Sequence, residues 1–211
     1  AMFRGTFYRR FVLGEWAAAE GLVYDFFGPE LVQPVPESLD GPWYISCDYG
    51  TVNPTSMGLW GQKGGVWYRT AEFYYDSRKT GRQQTDGEYA DDLARLAGGR
   101  DIRGVVLDPS AASFREELIR RGWMVYRAEN EVLSGIRRTA ELLRAGQLVI
   151  CSPCEDAIRE FGLYRWDTAA TGDRVVKEHD HAMDDIRYFA VTVAGRRSEG
   201  FFAGAVERGG G

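Results

Sequence analysis

Three cysteines and two histidines are all the thiol and imidazole chemistry in this chain of 211 residues. Cys47, Cys151 and Cys154 are too few, and odd in number, for a disulfide framework, so a reducing compartment is the simpler reading. Cys151-Ser-Pro-Cys154 has C-x-x-C spacing, but a structural zinc site takes four ligands and no second pair exists, which leaves buried thiols. No stretch is long and apolar enough for a membrane span. The opening "AMFRGTFYRRFVLGEWAAAEG" has the arginines and small residues of a signal peptide, yet Glu15 and Trp16 interrupt any apolar core. A phosphate loop of the form G-x-x-x-x-G-K-[ST] is absent. Positive charge is not in excess either: 26 basic against 31 acidic residues leave −5, which argues against a surface that is basic all over but not against one basic face.

What is present suffices for one core, since 44% of the residues are hydrophobic. The leading Ala-Met has the form of a cloning remnant and reads as the start of an excised domain. Residues 1–40 are aromatic, punctuated by Gly and Pro and not clearly periodic, which predicts a lead-in segment packed through Phe11, Trp16, Tyr24 and Phe26. From Trp43 the pattern sharpens. "WYISCDYG" predicts a buried strand, and "TSMGLWGQKGGVWYRTAEFYY" predicts a hairpin turned at Lys63-Gly64-Gly65. Helical spacing follows in "TDGEYADDLARLAGG", then a strand in "IRGVVLDPS", a helix, a strand in "WMVYRA", and a longer helix from "EVLSGIRRTAELLRAG" that stops at Gly146. "QLVIC" is strand-like, "SPCEDAIREFGLY" helical, "YRWDTAATGDRVVKE" a hairpin with a loose loop, and a last helix runs from about His179 to Ala194. The Gly-rich end, 196–211, reads as a flexible tail. A meander followed by alternating helices and strands is an α/β architecture: a mixed sheet flanked by helices.

Ligands in such sheets collect at the carboxyl ends of strands. Asp48 closes the first strand, Asp108 closes the fourth, and Asp184 and Asp185 lie in the first turns of the last helix, within "KEHDHAMDDIRY". Carboxylates held a few ångströms apart stay ionised together only if a cation or proton intervenes, and oxygen-only sets select Mg²⁺ or Mn²⁺. Two such ions suit phosphodiester cleavage. Taken singly, each aspartate also reads as a turn former or helix cap. His181, one turn before Asp184, reads as a group that orients a carboxylate or moves a proton, or as an exposed helix-start histidine. For His179 the plain surface role is favoured. Arg174, Lys177, Arg137 and Arg138 are candidate phosphate contacts, although solvated faces carry such residues too.

Four segments taken together, "WYISCDYGTVNPTSMGLWG", "VVLDPSAASFREELIRRG", "VLSGIRRTAELLRAGQLVI" and "VVKEHDHAMDDIRYFA", closely resemble the C-terminal nuclease domain of the large terminase subunit of tailed bacteriophages. "RRFVLGEWAAAEGLVYDFF" resembles the segment that joins the packaging ATPase to that nuclease. The resemblance implies a ribonuclease H-like fold over residues 41–195, with the hairpin as an addition, and residues 1–40 leading in from an ATPase domain. It implies a metal-dependent endonuclease that cuts concatemeric viral DNA through two Mg²⁺ or Mn²⁺ ions, held by Asp48, Asp108 and Asp184, with His181 assisting. Implied partners are double-stranded DNA and, in the whole motor, the ATPase domain, the small terminase subunit and the portal, all in the host cytoplasm and away from any membrane. Asp185 departs from the family pattern, which has a small residue after "HAMD". It adds a fourth acid to the metal candidates, read as solvated or as tuning the site from behind. Other readings of the same carboxylates are a Holliday-junction resolvase or transposase-type nuclease, and a non-catalytic docking module for the portal or small terminase.

Overall fold

A computed structural model of the chain describes residues 21–170 and 172–195. The expected tail, Phe11 and Trp16 lie outside the described residues. The lead-in is part of the fold from Leu22 onward: Tyr24 and Phe27 are buried, and β1 (Val32–Gln33) pairs in parallel with a strand more than a hundred residues later. The described part of the expected lead-in thus packs on the domain, Tyr24 among the residues expected to do so.

β2 (Trp43–Asp48) is a central strand with both faces covered, which is why Ile45, Ser46 and Cys47 are all buried. Ile45 and Cys47 face one core; Tyr44, Ser46 and Asp48 alternate to the other face. β3 (Thr55–Lys63) and β4 (Val66–Tyr75) form the expected hairpin, and Gly64 and Gly65 supply the positive φ of 57° and 82° that its two-residue turn demands. A short helix, α1 (Ser77–Thr80), is capped by Asp76. α2 (Asp86–Ala97) starts with a reciprocal cap between Thr85 and Glu88 and stops at Gly98 in the left-handed region.

β5 (Ile102–Leu107), α3 (Ala112–Arg120) and β6 (Val125–Arg127) make a parallel crossover, after which α4 (Val132–Arg144), β7 (Leu148–Cys151) and α5 (Glu155–Phe161) follow. The strand order is β1-β7-β4-β3-β2-β5-β6, antiparallel only at β2/β3 and β3/β4. Residues of α2 and α3 cover one face with Tyr89, Leu93, Phe114 and Leu118. The other face is covered by α4, α5 and α6 (His181–Phe189), which continues as a π-helical turn over Ala190–Ala194. Phe189 of α6 stacks on Trp60 of β3 at 4.1 Å, seating the helix on the middle of the sheet. The expected second hairpin is reduced to one antiparallel bridge, Trp166 with Val175. All three cysteines are buried thiols, as the sequence implied. Among the described residues no helix is long and apolar enough to cross a membrane.

Candidate active site

β2 ends at Asp48, β5 ends one residue before Asp108, and α6 begins with His181. These three ends border one cleft of about 630 Å³, lined by Asp48, Asp108, His181, Asp184, Arg187 and Tyr188 among others. Position follows topology, because β2 and β5 are adjacent and parallel and so deliver both carboxylates to the same sheet edge.

Asp48 Oδ2 lies 2.9 Å from His181 Nδ1. Burial pushes the Asp48 carboxyl up to about 7; Asp184 and Asp108 push the same way, and the bond to His181 opposes them. For His181 burial disfavours the charged ring, but Asp48 outweighs it and holds the imidazole above its ordinary value. Between them the pair keeps a proton near neutrality. Asp108 is the reverse case. Burial would raise it, yet the Ser110 amide at 2.6 Å and the Tyr188 hydroxyl at 2.7 Å both donate to it and hold it below the usual carboxylate value.

Asp184 is gripped from both sides. Arg187 Nη2 donates to Oδ1 at 2.9 Å and Lys177 Nζ to Oδ2 at 3.4 Å. Arg187 reaches this place over Gly135 of α4, where a Cβ would come within 2.6 Å of its side-chain methylenes. Lys177 is pushed up by Asp184 and Asp180, against a burial effect of the opposite sign.

Asp48, Asp108, Asp184 and His181 are thus brought together. Asp185 is not: it is fully buried on the sheet side of α6, with both oxygens taken by Arg69, Ser46 and Ser56. The expectation of a solvated acid or a metal ligand is corrected on that ground. Among the four candidate phosphate contacts, Lys177 lines the cleft, whereas Arg174 and Arg137 are exposed away from it and Arg138 engages Glu141 and the Gly195 carbonyl, both at 3.1 Å. The cleft takes its remaining cations from Arg78, Lys79 and Arg159, which sequence reasoning missed. His179 precedes the helix in the left-handed region, with φ of 55°. Tyr188 and Arg187 also went unread, although their spacing of four and three residues from Asp184 puts them on its side of the helix.

Among the described residues no three acid, imidazole or thiol side chains are already drawn into a closed ligating cluster. The donor set still fits a divalent cation. Its three carboxylates are hard oxygen donors, and the upward push that Asp108 and Asp184 exert on Asp48 is the repulsion such an ion relieves.

No known protein-family model matches the chain, and no curated protein sequence does. Solved structures do. The large terminase of a thermophilic bacteriophage, in complex with ADP, is 43% identical and superposes over 91% of this chain with a TM-score of 0.79. The chain belongs to the phage large-terminase family. It spans about half of that terminase, 50% of its length. The P22 large terminase nuclease domain is 18% identical, with a TM-score of 0.67 over 83% of this chain and 94% of that one. A large terminase nuclease from thermophilic phage G20c with bound cobalt is 14% identical, with a TM-score of 0.58 over 82% and 98%. At those identities the likeness is one of fold, and the fold is the ribonuclease H-like mixed sheet expected from the sequence. In this family member the candidate residues stand where strand ends and one helix start meet.

Proposed function

We propose that this chain is the nuclease part of a phage large terminase, an endonuclease that hydrolyses phosphodiester bonds of double-stranded DNA with two Mg²⁺ or Mn²⁺ ions and cuts concatemeric genomes during packaging. The observation that carries the reading is the meeting of Asp48, Asp108 and Asp184, from β2, the end of β5 and α6, in a cleft that also presents Lys177, Arg159, Arg78 and Lys79. Those three carboxylates would hold the ions, which when bound polarise the phosphate and lower the pKa of a water. Cobalt bound to the G20c nuclease supports divalent-metal use.

The chain's own groups have separable tasks. Tyr188 and the Ser110 amide hold the two oxygens of Asp108, and Arg187 and Lys177 those of Asp184, which fixes both carboxylates in place at the cleft. His181 orients Asp48 and keeps a proton close to it near neutral pH, where it can be passed to or from a reacting oxygen. The four cations position the phosphate backbone without reading sequence. In the whole motor the partners would be an ATPase domain, a small terminase subunit and a portal, in the host cytoplasm.

Nicking of supercoiled plasmid tests the reading. Cleavage should need added Mg²⁺ or Mn²⁺, stop in EDTA, and disappear in Asp108→Asn. Undiminished cutting in excess chelator, or a fully active Asp108→Asn protein, would remove it.

A further inference from the structure

Asp185 lies one residue from the cleft but on the sealed side of α6, and the groups around it are donors. Arg69 Nη1 reaches Oδ1 at 2.6 Å and Nη2 reaches Oδ2 at 2.8 Å; Ser56 donates to Oδ2 at 2.5 Å and Ser46 donates to Oδ1. All four residues have zero exposure. The pocket for the guanidinium is built into the strands. Gly58 in β3 leaves the space it fills, because a Cβ there would collide with it. Trp60 flanks it at 5.6 Å and donates its indole N–H to Ser46 at 2.8 Å.

The network closes on itself. Arg69 also reaches Glu72 at 3.4 Å, and Glu72 accepts the Asp156 and Ala157 amides at the start of α5, at 2.6 and 3.2 Å. From α5, Glu160 accepts the Ala182 amide in the first turn of α6 at 2.7 Å. The circuit thus leaves α6 at Asp185 and returns to it one turn earlier.

A buried ion pair is poor evidence of stabilisation, since apolar residues of similar volume often serve as well. Its geometry has another use. Ser46 and Asp48 are two residues apart on β2, about 6.7 Å. His181 and Asp185 are four apart on α6, about 6 Å. Asp185 meets Ser46 and His181 meets Asp48, so strand and helix, running in opposite directions, are pinned at two points of nearly equal spacing. The second pin lies in the cleft. The first is sealed.

We propose that Arg69 and Asp185 are positioning residues, a buried anchor that sets the depth and rotation of α6 and thereby aims Asp184, one step of about 100° round the helix, at Asp48 and Asp108. The proposal rests on the nuclease reading and deepens it. Arg69→Met with Asp185→Leu removes both charges at once. Melting temperature, Mn²⁺ affinity by calorimetry and Mn²⁺-dependent plasmid nicking are compared in wild type, this double variant and Ser56→Ala, which keeps the ion pair.

The double variant should melt near wild type, bind Mn²⁺ about 10–100-fold more weakly and nick more slowly by a similar factor; Ser56→Ala should lose a few-fold in affinity at an unchanged fold. A merely structural pair would move the melting temperature and leave Mn²⁺ affinity alone. A folded double variant that binds Mn²⁺ like wild type overturns the anchor while leaving the nuclease standing. Should the double variant not fold, Ser56→Ala with wild-type affinity overturns it equally. A wild type that neither binds Mn²⁺ nor nicks overturns both readings together.

Discussion

Replacing Asp48 by asparagine should kill the enzyme and yet stabilise the metal-free protein, by an amount that depends on pH in a calculable way. Burial first, then Asp184 and Asp108, push the Asp48 carboxyl from 3.8 up to about 7. A raised value means that the fold binds the proton more tightly than the unfolded chain does. The associated stability is therefore fully present in acid and lost as pH rises through 7. At pH 8 the ionised side chain costs the fold about 4 kcal/mol at most, at about 1.4 kcal/mol per tenfold. By pH 5 protonation has recovered about 3 kcal/mol of that. Asparagine stays neutral throughout, but it weakens the bond to His181 by about 1–2 kcal/mol. The net gain is about 2–3 kcal/mol at pH 8, or about 5–10 °C for a domain of this size, and close to nothing at pH 5. Thermal melts in EDTA at both pH values read it directly, and added Mn²⁺ should raise wild type more than the variant. An Asp48→Asn protein that melts below wild type at pH 8 would show that the His181 pair outweighs burial. An equal gain at both pH values would show that Asp48 does not titrate between them, and either result refutes the reasoning.

Other substitutions probe other parts of the molecule. Tyr188→Phe removes a donor that, with the Ser110 amide, holds the Asp108 carboxyl low, so the acid limb of the nicking pH profile should move upward, with the melting temperature little changed. Lys79→Gln with Lys177→Gln should reduce the slope of log affinity against log salt for duplex DNA by about 1.8, read by anisotropy in EDTA, while Arg137→Gln, away from the cleft, should leave it unchanged. Gly58→Ala should cost about 1–3 kcal/mol in a denaturant melt, because its methyl overpacks the space held by the Arg69 guanidinium. A chain shortened to begin at residue 41 should aggregate on concentration, since it bares the edge of β7 and uncovers Phe161, on which Phe27 stacks at 3.8 Å.

Strands and turns with a local signature were legible in the sequence. Short apolar runs ending in aspartate marked β2 and β5, and Lys63-Gly64-Gly65 marked the hairpin, because positive φ at two successive positions is a demand that few residues meet. The two-residue β1 has no period to read, and its pairing with β7 is fixed only by distant packing. In α6 periodicity could not rank Asp184 against Asp185, since the helix is buried on every side from Ala182 to Phe189. The two acids differ only in what they meet across the fold. Arg69, 116 residues from Asp185, reads locally as one more polar residue of an amphipathic strand. The available clue was Gly58, since a glycine inside a strand marks the close approach of something else.

Trp60 gives the seating of α6 an optical signature. Its indole is fully buried, lies within 5° of parallel to the Phe189 ring, and hydrogen-bonds Ser46, which in turn bonds Asp185. Rigid asymmetric packing of that kind is what near-ultraviolet circular dichroism detects, and it fades when side chains loosen even if the helices persist. A shift of the helix that carries Asp184 and His181 therefore alters the absorption of polarised light by an intrinsic chromophore, so loosening at the cleft can be followed in the unlabelled protein without substrate or metal.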